Sequence, residues 1–131
     1  MNSNYKTAAI GALFTGTSVA LGALAAHSLE KSISLHYLEV FKTAAQYQMY
    51  SGLGLLILGL WQGSSKGKKI AVNLIVYGTL IFSVSLYILA MNELWGEGLK
   101  KLGAITPIGG VLIIAGWLWL AWEFLKNNKK A

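Results

Sequence analysis

The chain has 131 residues, enough for one domain, and it combines 55% hydrophobic residues with only 12% charged ones, about half the charge of an ordinary soluble domain. It has no cysteine, which excludes disulfides, thiolate metal sites and cysteine nucleophiles. The net charge is +6 and every basic residue is a lysine, so no arginine is present for bidentate contacts with bases or phosphates. We therefore expect no nucleic-acid partner.

Four long segments of the chain carry no charge at all. They are residues 7–29, 43–65, 70–92 and 102–122. Because a helix rises ~1.5 Å per residue and the hydrocarbon core is ~30 Å thick, about 20 apolar residues are enough to cross a membrane. None of these segments has the polar face that a soluble four-helix bundle would need. The sequence therefore predicts one membrane domain over residues 1–131, an all-α bundle of four transmembrane helices. Their expected bounds are about 7–27, 44–62, 70–91 and 102–122.

The segment between the first two spans has a helical pattern of its own. Apolar residues recur there at helical spacing: Leu29, Ile33, Tyr37, Val40, Phe41 and Ala44. Glu39 and Lys42 lie among the polar positions, so the pattern predicts a short amphipathic interfacial helix between spans one and two. The alternative is a simple extension of span two beyond the membrane.

Lysine is unequally distributed between the two sides of the predicted bundle. Seven of the eleven lysines share a side with both termini: Lys6, Lys66, Lys68, Lys69, Lys126, Lys129 and Lys130. That side has one acidic residue, Glu123. Because loops rich in lysine stay in the cytoplasm, we expect a multi-pass protein of the cell (inner) membrane with both termini cytoplasmic.

Small residues are frequent in the spans, where they let helix backbones approach closely in lipid. Seven glycines are the predicted packing positions: Gly11, Gly16, Gly22, Gly52, Gly109, Gly110 and Gly116. Span one has small residues on two faces. We therefore expect it to have two close neighbours and to be the most enclosed helix.

All four spans place hydrogen-bonding side chains in the half of the bundle that should face outward. The candidate polar cluster, or ligand pocket, consists of His27, Tyr47, Gln48, Ser51, Ser83, Ser85, Tyr87 and Thr106. Such groups in lipid commonly bond one another and fix the register of the helices. The alternative is a pocket, open to the outer leaflet, for a lipid head group or small solute.

No arrangement typical of catalysis or metal binding is present in the sequence. Ser83 and Ser85 have no evident base, and His27 has only His36, a loop residue, as a second imidazole. The spans contain no carboxylate or lysine, which counts against ion-coupled transport. We therefore expect no enzyme activity, no metal and no cofactor.

Four motifs resemble those of a known family of small bacterial membrane proteins, domain-of-unknown-function family 423, to which human transmembrane protein 256 is also related. They are residues 22–29 (GALAAHSL), 41–50 (FKTAAQYQMY), 82–87 (FSVSLY) and 103–110 (GAITPIGG), with Gly116-Trp117 beyond. The resemblance implies a four-span inner-membrane protein and supplies no established activity. Many members have histidine at Ser51 and alanine at Gly52, so a ligand pair of His27 with a second histidine is not available here.

The sequence thus favours a non-enzymatic envelope or structural protein that acts by packing against lipid or partner membrane proteins. The expected partners are membrane lipids, other membrane proteins or a second copy. The alternative function is a binder or facilitator of a lipid or small amphipathic molecule, through a polar pocket in the outer half of the bundle.

Overall fold

A computed structural model describes residues 2–128, and within this range the chain is all helical, with no strand. Four helices are long, and a single short one, α4, lies between the third and the last. Their bounds are α1 Ser3–His27, α2 Leu35–Leu60, α3 Lys66–Ala90, α4 Asn92–Trp95 and α5 Thr106–Asn128. Short 3₁₀ segments cover Leu29–Lys31 and Glu97–Ala104. Lys129 and Lys130, two of the lysines used to predict orientation, lie outside the described residues.

Three stretches are long and apolar enough to cross a membrane: Ser3–Lys31, Lys66–Ala90 and Gly98–Asn128. They contain α1, α3 and α5, and they agree with the first, third and fourth predicted spans. The second predicted span corresponds to α2, which has 26 residues but begins with a more polar segment containing Glu39 and Lys42.

The predicted interfacial helix is not a separate element, because its residues from Leu35 onward form the first turns of α2. This outcome matches the alternative, an extension of span two. The apolar face of the segment packs on the protein rather than on lipid: Phe41 is buried, and its ring centroid lies 4.7 Å from that of Tyr87. Glu93, in α4, accepts a hydrogen bond from the Ser34 backbone N–H at 2.8 Å and so caps α2. Hydrogen bonding from the Ser34 side chain, and secondarily from its backbone N–H, holds the pKa of the Glu93 carboxyl below its ordinary value.

The four long helices pack as two close pairs, α1 with α2 and α3 with α5, and α2 joins α3 between the pairs. Each pair meets at glycine. A Cβ on Gly11 would collide with the backbone of Gly52 and Leu56, and one on Gly109 would collide with Gly78 and Phe82. α1 and α3 make little direct contact, so a groove remains between them with α2 as its floor.

The predicted packing glycines differ in their surroundings. Gly116 lies against Ala71 and Ile75, and Gly110 is in ordinary contact with the Phe82 ring, whereas Gly16 and Gly22 have open space where a side chain would be. The prediction of a packed position is therefore wrong at Gly16 and Gly22 within this chain. The expectation that α1 is the most enclosed helix is also wrong, because only its Gly11 face has a close helix neighbour. The close approach at Gly78 was not predicted.

Candidate functional site

We call the half of the bundle remote from the termini the distal half, and the opposite end the terminal end. The distal half contains a chain of hydrogen bonds that crosses three helices. The Tyr87 hydroxyl on α3 donates to Gln48 Oε1 on α2 at 2.8 Å, and Gln48 Nε2 donates to Thr17 Oγ1 on α1 at 2.6 Å. Thr17 then donates to the backbone carbonyl of Leu13 at 2.6 Å. Three helices are thus held in one register.

Gln48 lies at the centre of this chain and is buried. Its amide nitrogen also donates to the Phe14 carbonyl at 3.0 Å, so both the oxygen and the nitrogen of the amide have partners. Nearby, Ser83 Oγ donates to the Ala44 carbonyl at 3.0 Å and adds a second link between α3 and α2. A buried amide with its hydrogen bonds made is well suited to fixing helix positions, since slippage would leave polar atoms unpaired.

A separate polar contact joins α3 to the start of α5. The hydroxyls of Ser85 and Thr106 lie 2.7 Å apart, and Ser85 also donates to the Phe82 carbonyl. The Leu102 carbonyl, 3.3 Å from Thr106 Oγ1, is an alternative acceptor for the single hydrogen of that hydroxyl. The predicted cluster therefore divides into a network of Gln48, Ser83 and Tyr87 and a distinct pair on the other side of α3.

The remaining predicted residues do not join the network. The His27 side chain is exposed at the end of α1 and makes no hydrogen bond to the described part of the chain. Tyr47 is 43% exposed, with ring contacts to Tyr50 and Phe82. Ser51 is buried, but no hydrogen bond links its hydroxyl to the network. A combined His27–Gln48 centre, as the sequence suggested, is not formed.

A cavity of about 240 Å³ lies beside the network in the groove between α1 and α3. Its walls are mostly apolar, with Phe14 and Leu21 on α1 and Leu80 on α3. Thr79 also lines it, is 1% exposed, and has an Oγ1 with no hydrogen-bond partner among residues 2–128. Thr79 is not among the residues of the predicted cluster. An unpaired buried hydroxyl is unusual in a folded protein.

The terminal end contains a polar centre that the sequence analysis missed. Lys68 is only 4% exposed, and its ammonium donates to Asn4 Oδ1 at 2.9 Å and to the carbonyls of Trp61 at 2.6 Å and Gly63 at 2.7 Å. Lys68 was taken for a loop residue like its neighbours. A signal was available, because Lys68 shares one buried helix face with residues 72, 75 and 79, at the spacing of a helical stripe.

A second cavity, of about 390 Å³, adjoins this lysine between the first turns of α1 and α3. Lys6, Lys68 and Lys69 line it together with neutral polar groups, and none of the residues that line it is acidic. Deeper in the groove its wall includes the apolar side chains of Ile10 and Val76, together with Asn73 and Tyr77. The cavity is therefore basic at its mouth and has no charged residue toward the membrane interior.

Neither region has the groups that metal binding requires. Between Asn2 and Asn128 no three His, Asp or Glu side chains lie close enough together to hold a metal ion. The chemistry available is hydrogen bonding in the distal half and positive charge at the terminal end.

Comparison with known proteins agrees with this picture of a membrane protein. The model of a family described as "Protein of unknown function (DUF423)" matches residues 21–110. The chain belongs to this family. The matched range contains Gln48, Tyr87 and Lys68, but neither Thr17 nor Lys6.

Curated relatives of the chain are named as membrane proteins. A UPF0382 membrane protein of Staphylococcus haemolyticus is 49% identical over 115 residues, covering 85% of this chain and 88% of its own length. A UPF0382 membrane protein of Staphylococcus epidermidis is 46% identical over 121 residues, covering 89% of this chain and 93% of its own. One from Staphylococcus aureus is 48% identical over 115 residues, with 85% and 88% covered. No solved structure matches the chain.

Proposed function

We propose that the chain is a non-enzymatic protein of the cell membrane that acts by packing against lipid and a partner helix. The observation that carries this proposal is the Tyr87–Gln48–Thr17 chain of hydrogen bonds. It uses the polar groups of the distal half to hold the chain's own helices together. Side chains that are bonded to one another are poorly placed to bind substrate.

The topology that accompanies this proposal has four spans. The hydrogen bond between Asn4 and Lys68 brings the starts of α1 and α3 to the same end. If both helices cross the membrane, the chain must cross back between them, and α2 is the only element there of sufficient length. Its 26 residues extend about 39 Å, more than the ~30 Å of the hydrocarbon core.

The lysine distribution supports cytoplasmic termini, and single cysteines test this orientation because the chain has none of its own. Gln62 and Asn127 are exposed at the terminal end, and Ser32 is exposed at the other. In intact cells, Gln62→Cys and Asn127→Cys should resist an impermeant thiol reagent, and Ser32→Cys should react. The reverse pattern would contradict the orientation.

The partner surface that we propose is the open face of α1. Its small exposed residues recur every three or four positions: Ala9, Ala12, Gly16, Ala20 and Ala23. Inside the chain, a similar small-residue face on α1 packs on the small-residue face of α2 through Gly11 and Gly52. In membranes, helix faces made of small residues pack closely on one another. A second copy presents the same face of α1, related by twofold symmetry. The proposed partner is therefore a second copy of this chain.

Gly16→Leu tests this proposal, since Gly16 has open space around it and the new side chain would obstruct only a partner. The matched control is Ala121→Leu, on an exposed face of α5. Native mass spectrometry from mild detergent should show dimers for the parent chain and for Ala121→Leu, and monomers for Gly16→Leu. A monomeric parent chain, or dimers that survive Gly16→Leu, would contradict it.

A second candidate function is the binding of a lipid or small amphipathic molecule in the distal cavity of about 240 Å³. The unpaired Thr79 hydroxyl favours it, because a ligand with a polar group would supply the missing hydrogen bond. Thr79→Val keeps the shape of the side chain and removes the hydroxyl. Reduced retention of a co-purified molecule by this variant would favour the second function over the first.

A further inference from the structure

The basic cavity at the terminal end is separate from the distal network and is not used by the function proposed above. Lys6, Lys68 and Lys69 line it, with no acidic residue in its wall. In residues 2–128 the one acid at this end is Glu123, and its carboxylate lies against Gly67, where α3 meets α5. No lysine at this end forms an ion pair with it in the described structure. Within residues 2–128, the positive charge of the cavity therefore has no acidic partner.

The excess of positive charge is energetically significant because one of the three lysines, Lys68, is buried. Each of its three ammonium hydrogens is taken up by a neutral acceptor: the Asn4 side chain and two backbone carbonyls. Those bonds satisfy its donors and leave its charge without a counter-ion. A buried charge with no counter-ion is costly, and an anion in the adjoining cavity would lower that cost.

The shape of the cavity indicates which anion fits. Lys6 and Lys69 are in the first turns of α1 and α3, at the depth of lipid head groups if the helices span. Ile10 and Val76 form its deeper wall, and Val76 is seven residues along α3 from Lys69, about 10 Å deeper. The same two helices border the distal cavity, whose walls are mostly apolar.

We propose that this cavity binds an anionic glycerophospholipid. Lys6 and Lys69 contact the phosphate, Lys68 attracts it through its buried charge, and an acyl chain lies along the groove between α1 and α3. Basic pockets between transmembrane helices commonly bind anionic head groups. The proposal depends on the chain lying in a membrane, but not on the dimer contact of α1.

The test is a comparison of two double variants that lose the same charge at the same end of the molecule. Lys6→Gln with Lys69→Gln removes the two exposed lysines of the cavity, and Lys66→Gln with Lys126→Gln removes two exposed lysines outside it. Lys68 is left intact because its loss would affect folding. The full chain is placed in nanodiscs of phosphatidylglycerol and phosphatidylcholine at 1:3, and retained lipid is identified by native mass spectrometry.

We expect the parent chain and the control to retain phosphatidylglycerol in preference to phosphatidylcholine. The cavity variant should bind phosphatidylglycerol about thirtyfold more weakly, the fold-change that corresponds to about 1 kcal/mol per lysine. Equal retention of the two lipids by the parent chain, or an equal loss in both variants, would overturn the proposal. Equal thermal unfolding of the two variants shows that any difference lies in binding.

A displacement measurement distinguishes a bound lipid from a bound free phosphate. Inorganic phosphate and glycerol 3-phosphate, added in millimolar amounts to the detergent-solubilised chain, should fail to displace the retained phosphatidylglycerol, because neither has an acyl chain for the groove. Displacement by either at these concentrations would overturn the assignment to a lipid and indicate a site for soluble phosphate.

Discussion

In the distal half of the groove the polar side chains are neutral and form hydrogen bonds with one another. At the terminal end, by contrast, three lysines line a cavity that has no acidic residue in its wall. Both regions lie between the same helices, α1 and α3, with α2 beneath. The two regions differ in how far the protein itself satisfies their polar and charged groups. Both the oxygen and the nitrogen of the Gln48 amide have hydrogen-bond partners inside the protein. The Lys68 ammonium donates all three of its hydrogens, but no carboxylate of residues 2–128 pairs with its charge. Gln48 therefore fits a structural role, whereas the unpaired charge of Lys68 is the basis of the proposed lipid site.

The largest effect is expected at the terminal end, from Lys68→Met. Methionine fills similar space but leaves Asn4 Oδ1 and the carbonyls of Trp61 and Gly63 without their donor. We expect a loss of about 2–3 kcal/mol in the free energy of unfolding, since buried polar atoms left unpaired are costly. Thermal unfolding in detergent, compared with exposed Lys69→Met, measures it. Equal stability of the two variants would show that Lys68 is not buried as described.

The next effect tests the network of the distal half. Gln48→Ala removes three hydrogen bonds and should cost about 1.5 kcal/mol, near the upper end for such bonds in membranes. Tyr87→Phe should cost less, because it removes one bond. The double variant should lose less than the two single losses combined, since the groups share a bond. Strict additivity would contradict the direct contact between Tyr87 and Gln48.

A small or opposite effect is expected at Thr79. Thr79→Val removes a buried hydroxyl that has no partner within residues 2–128, so stability should stay the same or rise by about 0.5 kcal/mol. His27→Ala is the companion variant. Because His27 is exposed and makes no hydrogen bond within residues 2–128, we expect a change in stability within about 0.5 kcal/mol. A marked loss in Thr79→Val would mean that the hydroxyl has a partner, such as a bound molecule.

The smallest effect is a dependence on pH at the cap of α2. The Ser34 hydrogen bond lowers the pKa of Glu93, so the charged form is favoured in the folded chain. Its contribution to stability is therefore present above the ordinary pKa of about 4.5 and is lost as the pH falls through the lowered value. Glu93→Gln should unfold at a slightly lower temperature than the parent chain at pH 7, and the gap should close in acid. A gap that widens below pH 4.5 would contradict the sign.

The uncharged segments predicted the long helices well, because burial in lipid imposes a length and an absence of charge that a sequence displays directly. The boundary of α2 was predicted less well. An amphipathic face looks the same whether it rests on lipid or on protein, and Phe41 rests on Tyr87, which is distant in sequence. The many glycines likewise indicated that helices pack closely, but they did not show which glycines lie at a contact. Gly11 packs against α2, whereas Gly16 has open space beside it.

Composition and charge spacing alone determined that this is an all-helical protein suited to a membrane, and the motifs determined its family. They also identified Gln48, Ser83 and Tyr87 as polar groups that need partners. Only the tertiary structure decided which partners they have, because helix rotation and crossing bring Thr17 to Gln48 and leave His27 outside. It also separated Lys68 from its neighbours in the same basic run. A lysine is exposed or buried according to the direction its helix face points, and for α3 that direction is set by packing against α5 and α2.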